Sequence, residues 1–169
     1  MVGVYTQKQW CAAVLLAAFW GWAMFGLFDP IGYMMSDRFV QGMNRLLLLT
    51  IVGLPIAIVV SFLAVGPALR KMMRKPVGFR TAATWGAGIS AALAGLSIVW
   101  GRLRGWRMSI DDTRYAQTGG GDFIRSIDGI LTPYGWQVLA QNTVAFIAWC
   151  TIGALLIRLA IGPGHADKP

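Results

Sequence analysis

The chain of 169 residues contains no glutamate, a single histidine and two cysteines. Each scarcity removes a class of chemistry. The histidine, His165, stands in the short polar tail 162–169. One chain therefore cannot build a bis-histidine haem site inside a membrane. Ser90 and Ser97 likewise have no histidine to activate them as nucleophiles. His165 with Asp167 is too sparse for a metal site. Cys11 and Cys150 form neither a CxxC pair nor any metal-ligand spacing, and read as unpaired packing thiols. Charge is scarce too. Lys, Arg and Asp make up 13% of the chain, about half the ~25% of a soluble domain. Gly119-Gly120-Gly121-Asp122 lacks the lysine-serine end of a phosphate-binding loop.

What the chain has instead is apolar surface: 56% of its residues are hydrophobic. That excludes a soluble globular domain, a disordered chain and a secreted disulfide scaffold. A bilayer core about 30 Å thick takes roughly 20 apolar residues per helical span. Four runs meet this, at about 10–28, 46–65, 81–100 and 138–161. The expected fold is an all-α membrane protein, with four transmembrane helices in a bundle and a single domain over 1–169. The first run is long, rich in Trp and Phe, and ends in Phe28-Asp29-Pro30 without a small-residue cleavage site, so it reads as an uncleaved span. Trp10, Trp85, Trp100 and Trp136 fall near predicted span ends, where an indole keeps its ring apolar and its N–H wet.

No charge falls inside the runs except at their ends, where Arg45 and Arg158 can snorkel to headgroups. Fifteen Lys and Arg against seven Asp give a net charge of +8. In a soluble protein this would point to nucleic acid. Here the cations flank spans, set topology and meet anionic lipid headgroups, and nucleic acid is not an expected partner. The connection 66–80 holds Arg70, Lys71, Arg74, Lys75 and Arg80 without an acid. It is the strongest cytoplasmic signal in the chain, and four spans then place both termini in the cytoplasm. Arg102, Arg104 and Arg107 run against this pattern; Asp111, Asp112, Asp122 and Asp128 follow them in the same outer loop, 101–137. The expected location is a bacterial inner membrane.

Packing signals concentrate in the third span. Gly86, Ser90 and Ala94 repeat at four-residue spacing, as do Ala87, Ala91 and Gly95. Such stripes let another helix approach closely, either within the bundle or from a partner. Gly53 and Pro55 predict a kink in the second span. Gln137, Gln141 and Asn142 at the start of the fourth span call for a partner helix or a wet end. In the outer loop, Asp122 is placed to cap a short interfacial helix through Phe123, Ile124, Ile127, Ile130 and Leu131. Tyr33, Met34, Met35, Phe39 and Val40 form a second candidate interfacial segment.

No cofactor, metal site or catalytic group emerges. The leading expectation is a non-catalytic integral membrane subunit that stabilises, assembles or positions a larger complex of respiratory, photosynthetic, secretion or conjugation type. Its partners would be other membrane subunits and anionic lipid headgroups, with homo-oligomerisation an open alternative. Expected contact residues are the third-span stripe and Arg102, Arg104, Arg107, Asp111, Asp112 and Asp122 of the outer loop. Two alternatives are a membrane enzyme acting on a lipid phosphate through those Asp and Arg residues, and a small channel or transporter component lined by Gln141 and Asn142.

Overall fold

A computed structural model of the protein describes residues 5–26, 39–110, 116–162 and 164, and helix accounts for 82% of them. The helices are α1 (Gln7–Gly26), α2 (Phe39–Met72), α3 (Phe79–Ser109) and α4 (Pro133–Ile161). A small antiparallel sheet between α3 and α4 has the order β1 (Gln117–Thr118), β2 (Ser126–Ile127), β3 (Ile130–Leu131). Among the described residues, three helices, α2, α3 and α4, are long and apolar enough to cross a membrane. Three of the four expected spans are supported in this way; the first, about 10–28, overlaps α1 and runs past the described residues. The helix outside that set, α1, opens on Gln7, Lys8 and Gln9 and carries Trp10, Trp20 and Trp22, so polar groups dilute its aliphatic content. Its small side chains serve packing instead: Ala13, Val14, Ala18 and Ala23 form the buried apolar core with Met73, Val77 and Ala82.

The chain divides into two compact units, Met1–Thr84 with Ile152–Pro169, and Trp85–Thr151. In the first unit, α1 lies antiparallel to α2. The Trp10 indole N–H donates to the Gly66 carbonyl at 3.1 Å, and the Trp22 indole N–H to the Leu49 carbonyl at 2.8 Å. Residue order is reversed between the two contacts, which fixes the direction of packing. The Trp10 ring also meets Phe62 edge-on at 5.7 Å.

The kink expected at Gly53-Pro55 takes the form of a widened helix. Two π turns, Leu49–Gly53 and Ser61–Val65, interrupt α2. The Leu54 N–H reaches Leu49, and the Gly66 N–H reaches Ser61, each five residues back. Pro55 and Pro67 follow closely. Proline has no N–H, and its ring presses on the carbonyl four residues earlier; a widened turn absorbs both effects without breaking the helix. Hence α2 runs past Val65, where the span was expected to end, through Pro67 to Met72. It also begins earlier, at Phe39, so Phe39 and Val40 are helical and exposed. Tyr33, Met34 and Met35 lie outside the described residues.

In the second unit, α3 continues past Trp100 to Ser109 and carries Arg102, Arg104 and Arg107 on helix. The interfacial helix expected over Asp122–Leu131 is not formed. Only a single 3-10 turn, Gly121–Phe123, is present, and the chain then makes a hairpin pairing Ser126 with Leu131 and Ile127 with Ile130. The reason is the turn. Asp128 and Gly129 both adopt positive φ, at 48° and 80°. An Asp-Gly pair in this conformation twists with its flanking strands and nucleates a two-residue hairpin, which overrides the helical stripe of apolar residues. Next, α4 starts at Pro133 because Thr132 caps it. The Thr132 hydroxyl accepts the Gly135 N–H at 3.0 Å, and Pro133 occupies the first turn, where its missing N–H costs nothing.

Candidate functional site

One end of the first unit collects segments far apart in sequence. The Tyr5 hydroxyl donates to the Gly162 carbonyl at 3.3 Å and accepts the Val77 N–H at 3.2 Å. The Gln9 side chain donates to the Ile161 carbonyl at 3.3 Å. Arg158 donates through Nε to the Val77 carbonyl and lies over the Phe79 ring at 4.9 Å. The start of α1, the connection between α2 and α3, and the end of α4 are thus clasped together. Val77 is buried at the centre of the clasp, while Lys8, Arg70, Lys71, Arg74, Lys75 and Arg80 are exposed around it. No acidic residue occurs among the described residues of this unit.

The second unit contains a cap in which the sheet sits against the end of α3 and the start of α4. Three glycines make this possible. A Cβ on Gly105 would stand 2.3 Å from the Gly129 carbonyl oxygen, one on Gly129 would stand 2.4 Å from the Gly105 oxygen, and one on Gly135 would stand 1.9 Å from the Arg125 oxygen. Helix and hairpin backbones therefore touch directly, an approach that only glycine permits. Asp128 holds the far strand: its carboxylate accepts the Ala116 N–H at 3.1 Å, and its own N–H donates to the Ala116 carbonyl at 2.8 Å. The Phe123 and Tyr134 rings pack edge-on at 5.6 Å.

The expected contact residues separate into distinct environments. On α3, Ser90 is buried, and Gly86, Ala87 and Ala94 are half-buried, whereas Ala91 and Gly95 are exposed. The Ser90 hydroxyl is satisfied by its own helix, donating to the Gly86 carbonyl at 2.7 Å and the Ala87 carbonyl at 3.1 Å. A Cβ on Gly88 or Gly95 would meet nothing within 4 Å. In the cap, half-buried Arg102 donates to the Gly129 carbonyl at 3.4 Å, and its guanidinium lies 5.8 Å from the centre of the Trp136 ring. Arg104, Arg107 and Asp122 are exposed. Asp111 and Asp112 lie outside the described residues. The structure thus joins Arg102 to a carbonyl and an aromatic ring. Among the described residues, no group of three or more His, Cys or Asp side chains is placed to hold a metal ion.

Three threonine hydroxyls within the helices bond alike. Thr50, Thr143 and Thr151 each donate to the carbonyl four residues back, on Leu46, Leu139 and Ile147, all at 2.7 Å. No buried side-chain N or O lacks a partner among the described residues. The exposed carboxamides differ. Gln141 and Asn142 of α4 are exposed and make no hydrogen bond among the described residues. Seventeen residues separate Gln141 from Arg158, about 25 Å along a helix. Both amides lie on α4, a helix long and apolar enough to cross a membrane.

Sequence reasoning had located these amides and the basic connection. It missed the clasp, whose members are 72 to 157 residues apart, and the glycine contacts of the cap. The Asp128-Gly129 dipeptide was the available signal for the hairpin. No family model, curated protein or solved structure matches the chain.

Proposed function

We propose that the protein is a non-catalytic, multi-pass subunit of a larger membrane complex, in a bacterial inner membrane, with its clasped basic end in the cytoplasm. The observation that carries this reading is the pair Gln141 and Asn142: exposed amides on a helix of membrane-spanning length, with no partner among the described residues. An amide facing lipid loses its hydrogen bonds to water and gains none, whereas a neighbouring helix can restore them. The exposed side of α3 gives the same support. Gly88, Ala91, Ala92 and Gly95 are all exposed and small, the pattern that lets a second helix pack closely.

The clasp bears on topology. It brings the start of α1 and the end of α4 to one end of a unit, which calls for an even number of crossings. We therefore assign α1 a membrane crossing alongside α2, α3 and α4, with the α3–α4 connection on the periplasmic side. The cations around the clasp mark the cytoplasmic side.

Extraction from native membranes in a mild detergent, followed by native-gel sizing and mass spectrometry, tests the reading. The expected wild-type species is a stoichiometric complex with other integral membrane proteins. Gln141→Leu with Asn142→Leu is expected to release the chain from it. A monodisperse monomer from wild-type membranes would sink the proposal. A homo-oligomer would turn attention to a pore lined by the same amides, and conductance of Gln141→Leu would then decide.

A further inference from the structure

The clasped end of the first unit has a charge pattern that the packing alone does not use. Among the described residues, Arg158 is the cation engaged there, on the Val77 carbonyl and the Phe79 ring. Lys8, Arg70, Lys71, Arg74, Lys75 and Arg80 remain exposed around it. They come from the start of α1 and from the stretch 70–80, which the Tyr5 and Arg158 contacts with Val77 draw to one place. At the end of α2 the spacing is specific. Arg70 and Arg74, and Lys71 and Lys75, are like-charged pairs four residues apart, and Met73, Arg74 and Lys75 continue the turn through N–H bonds to Leu69, Lys71 and Met72. Arg70 and Lys71 lie in the last turn of the helix and Arg74 and Lys75 follow it, so four like charges crowd one short stretch and repel. Among the described residues of the unit there is no carboxylate to relieve this repulsion. A layer of anions would relieve it, and each Lys or Arg near an anionic leaflet adds an attraction that salt screens. The exposed Phe79 ring, 53% accessible, adds an apolar contact beside the cations.

We infer that this end is a docking surface for anionic phospholipid headgroups, and that it selects them over zwitterionic ones. The inference rests on the membrane reading above and does not require a partner subunit. The phosphates and Lys and Arg side chains pair at headgroup level, and the clasp keeps the two cationic stretches at one end of the unit.

The test uses the full chain purified in a neutral detergent and stripped of lipid. Binding of short-chain phosphatidylglycerol and phosphatidylcholine is followed by thermal shift and by native mass spectrometry, at 0.1 M and 1 M NaCl. At the lower salt, phosphatidylglycerol is expected to bind roughly tenfold tighter or more, and at 1 M NaCl the preference should collapse. Replacing Arg70, Lys71, Arg74 and Lys75 together by Gln should abolish the preference. Arg104→Gln with Arg107→Gln, in the other unit, should leave it intact. If the quadruple variant does not accumulate, Arg74→Gln with Lys75→Gln should lower the preference several-fold, and the salt dependence of wild type stands as an independent reading. Equal binding of the two lipids, or a preference that 1 M salt does not weaken, overturns the inference. So does tighter binding of an acidic peptide or of single-stranded DNA. A monomeric chain that still selects phosphatidylglycerol would keep this inference while ending the subunit reading, so the two failures are distinct.

Discussion

The two units are held together by opposite means. In the first, long side chains reach across to backbone carbonyls: Trp10 to Gly66, Trp22 to Leu49, Gln9 to Ile161 and Arg158 to Val77. In the second, side chains are removed so that backbones meet: Gly105 against Gly129, and Gly135 against Arg125. The difference lies in how each region tolerates change. A side-chain donor that is shortened leaves a weakened contact. A glycine that gains a methyl leaves a collision with a main-chain oxygen, which has no rotamer through which to yield. The cap should therefore be the more brittle region under single substitutions.

Replacing Gly129 by Ala tests this most severely. The new methyl would meet the Gly105 carbonyl at 2.4 Å, from a residue at φ 80°. Overpacking and left-handed strain together should cost about 3 kcal/mol. The measurement is thermal unfolding in detergent with limited proteolysis between 110 and 132, and the expected result is cleavage there while α1 and α2 stay protected. Arg158→Ala comes next, in the first unit. Loss of a charge-assisted hydrogen bond and of the Phe79 contact should cost about 2 kcal/mol. Hydrogen exchange should rise at the Val77 amide, and Arg158→Lys should recover part of the loss. If Arg158→Ala proves costlier than Gly129→Ala, the proposed contrast between the units is wrong. Thr132→Val removes the cap of α4 while keeping the side chain's shape. It should cost about 1 kcal/mol, with fraying confined to the first turn of α4 and Thr132→Ser nearly neutral. The smallest effect is expected from Trp22→Phe, which deletes one indole N–H from the Leu49 carbonyl. In an apolar setting this should cost roughly 0.6–1 kcal/mol, read as a small fall in Tm at unchanged expression.

The same contrast explains what could be read in advance. Helix positions were legible because a bilayer demands long apolar runs, and α2, α3 and α4 contain the predicted runs. Their ends were less legible. The second span was expected to end at Val65, but a π turn carries the helix on through Pro67 to Met72. Arg102, Arg104 and Arg107 look like a loop, but they prolong α3, and Arg102 finds the Gly129 carbonyl and the Trp136 ring. The apolar residues between Ile124 and Leu131 fit a helical stripe, yet two residues at positive φ commit them to a hairpin. The α3 stripe was legible as a set of small residues, but its division into covered Gly86, Ser90 and Ala94 and exposed Ala91 and Gly95 was not.

By itself the sequence determined that this is a multi-helix chain with apolar segments of membrane length, one strongly basic connection, and polar amides near the start of its last helix. Composition and spacing suffice for these, because they depend on how each residue partitions between water and lipid and on the helical repeat. Tertiary structure alone decided which residues meet across long stretches of chain. Tyr5, Val77, Arg158 and Gly162 share a clasp because α1 and α2 pack antiparallel and the end of α4 returns to the start of α1. Gly105, Gly129 and Gly135 share a cap because main-chain atoms can approach closely only where no Cβ intervenes. Neither arrangement has a local signature, since each depends on partners that no window of sequence contains.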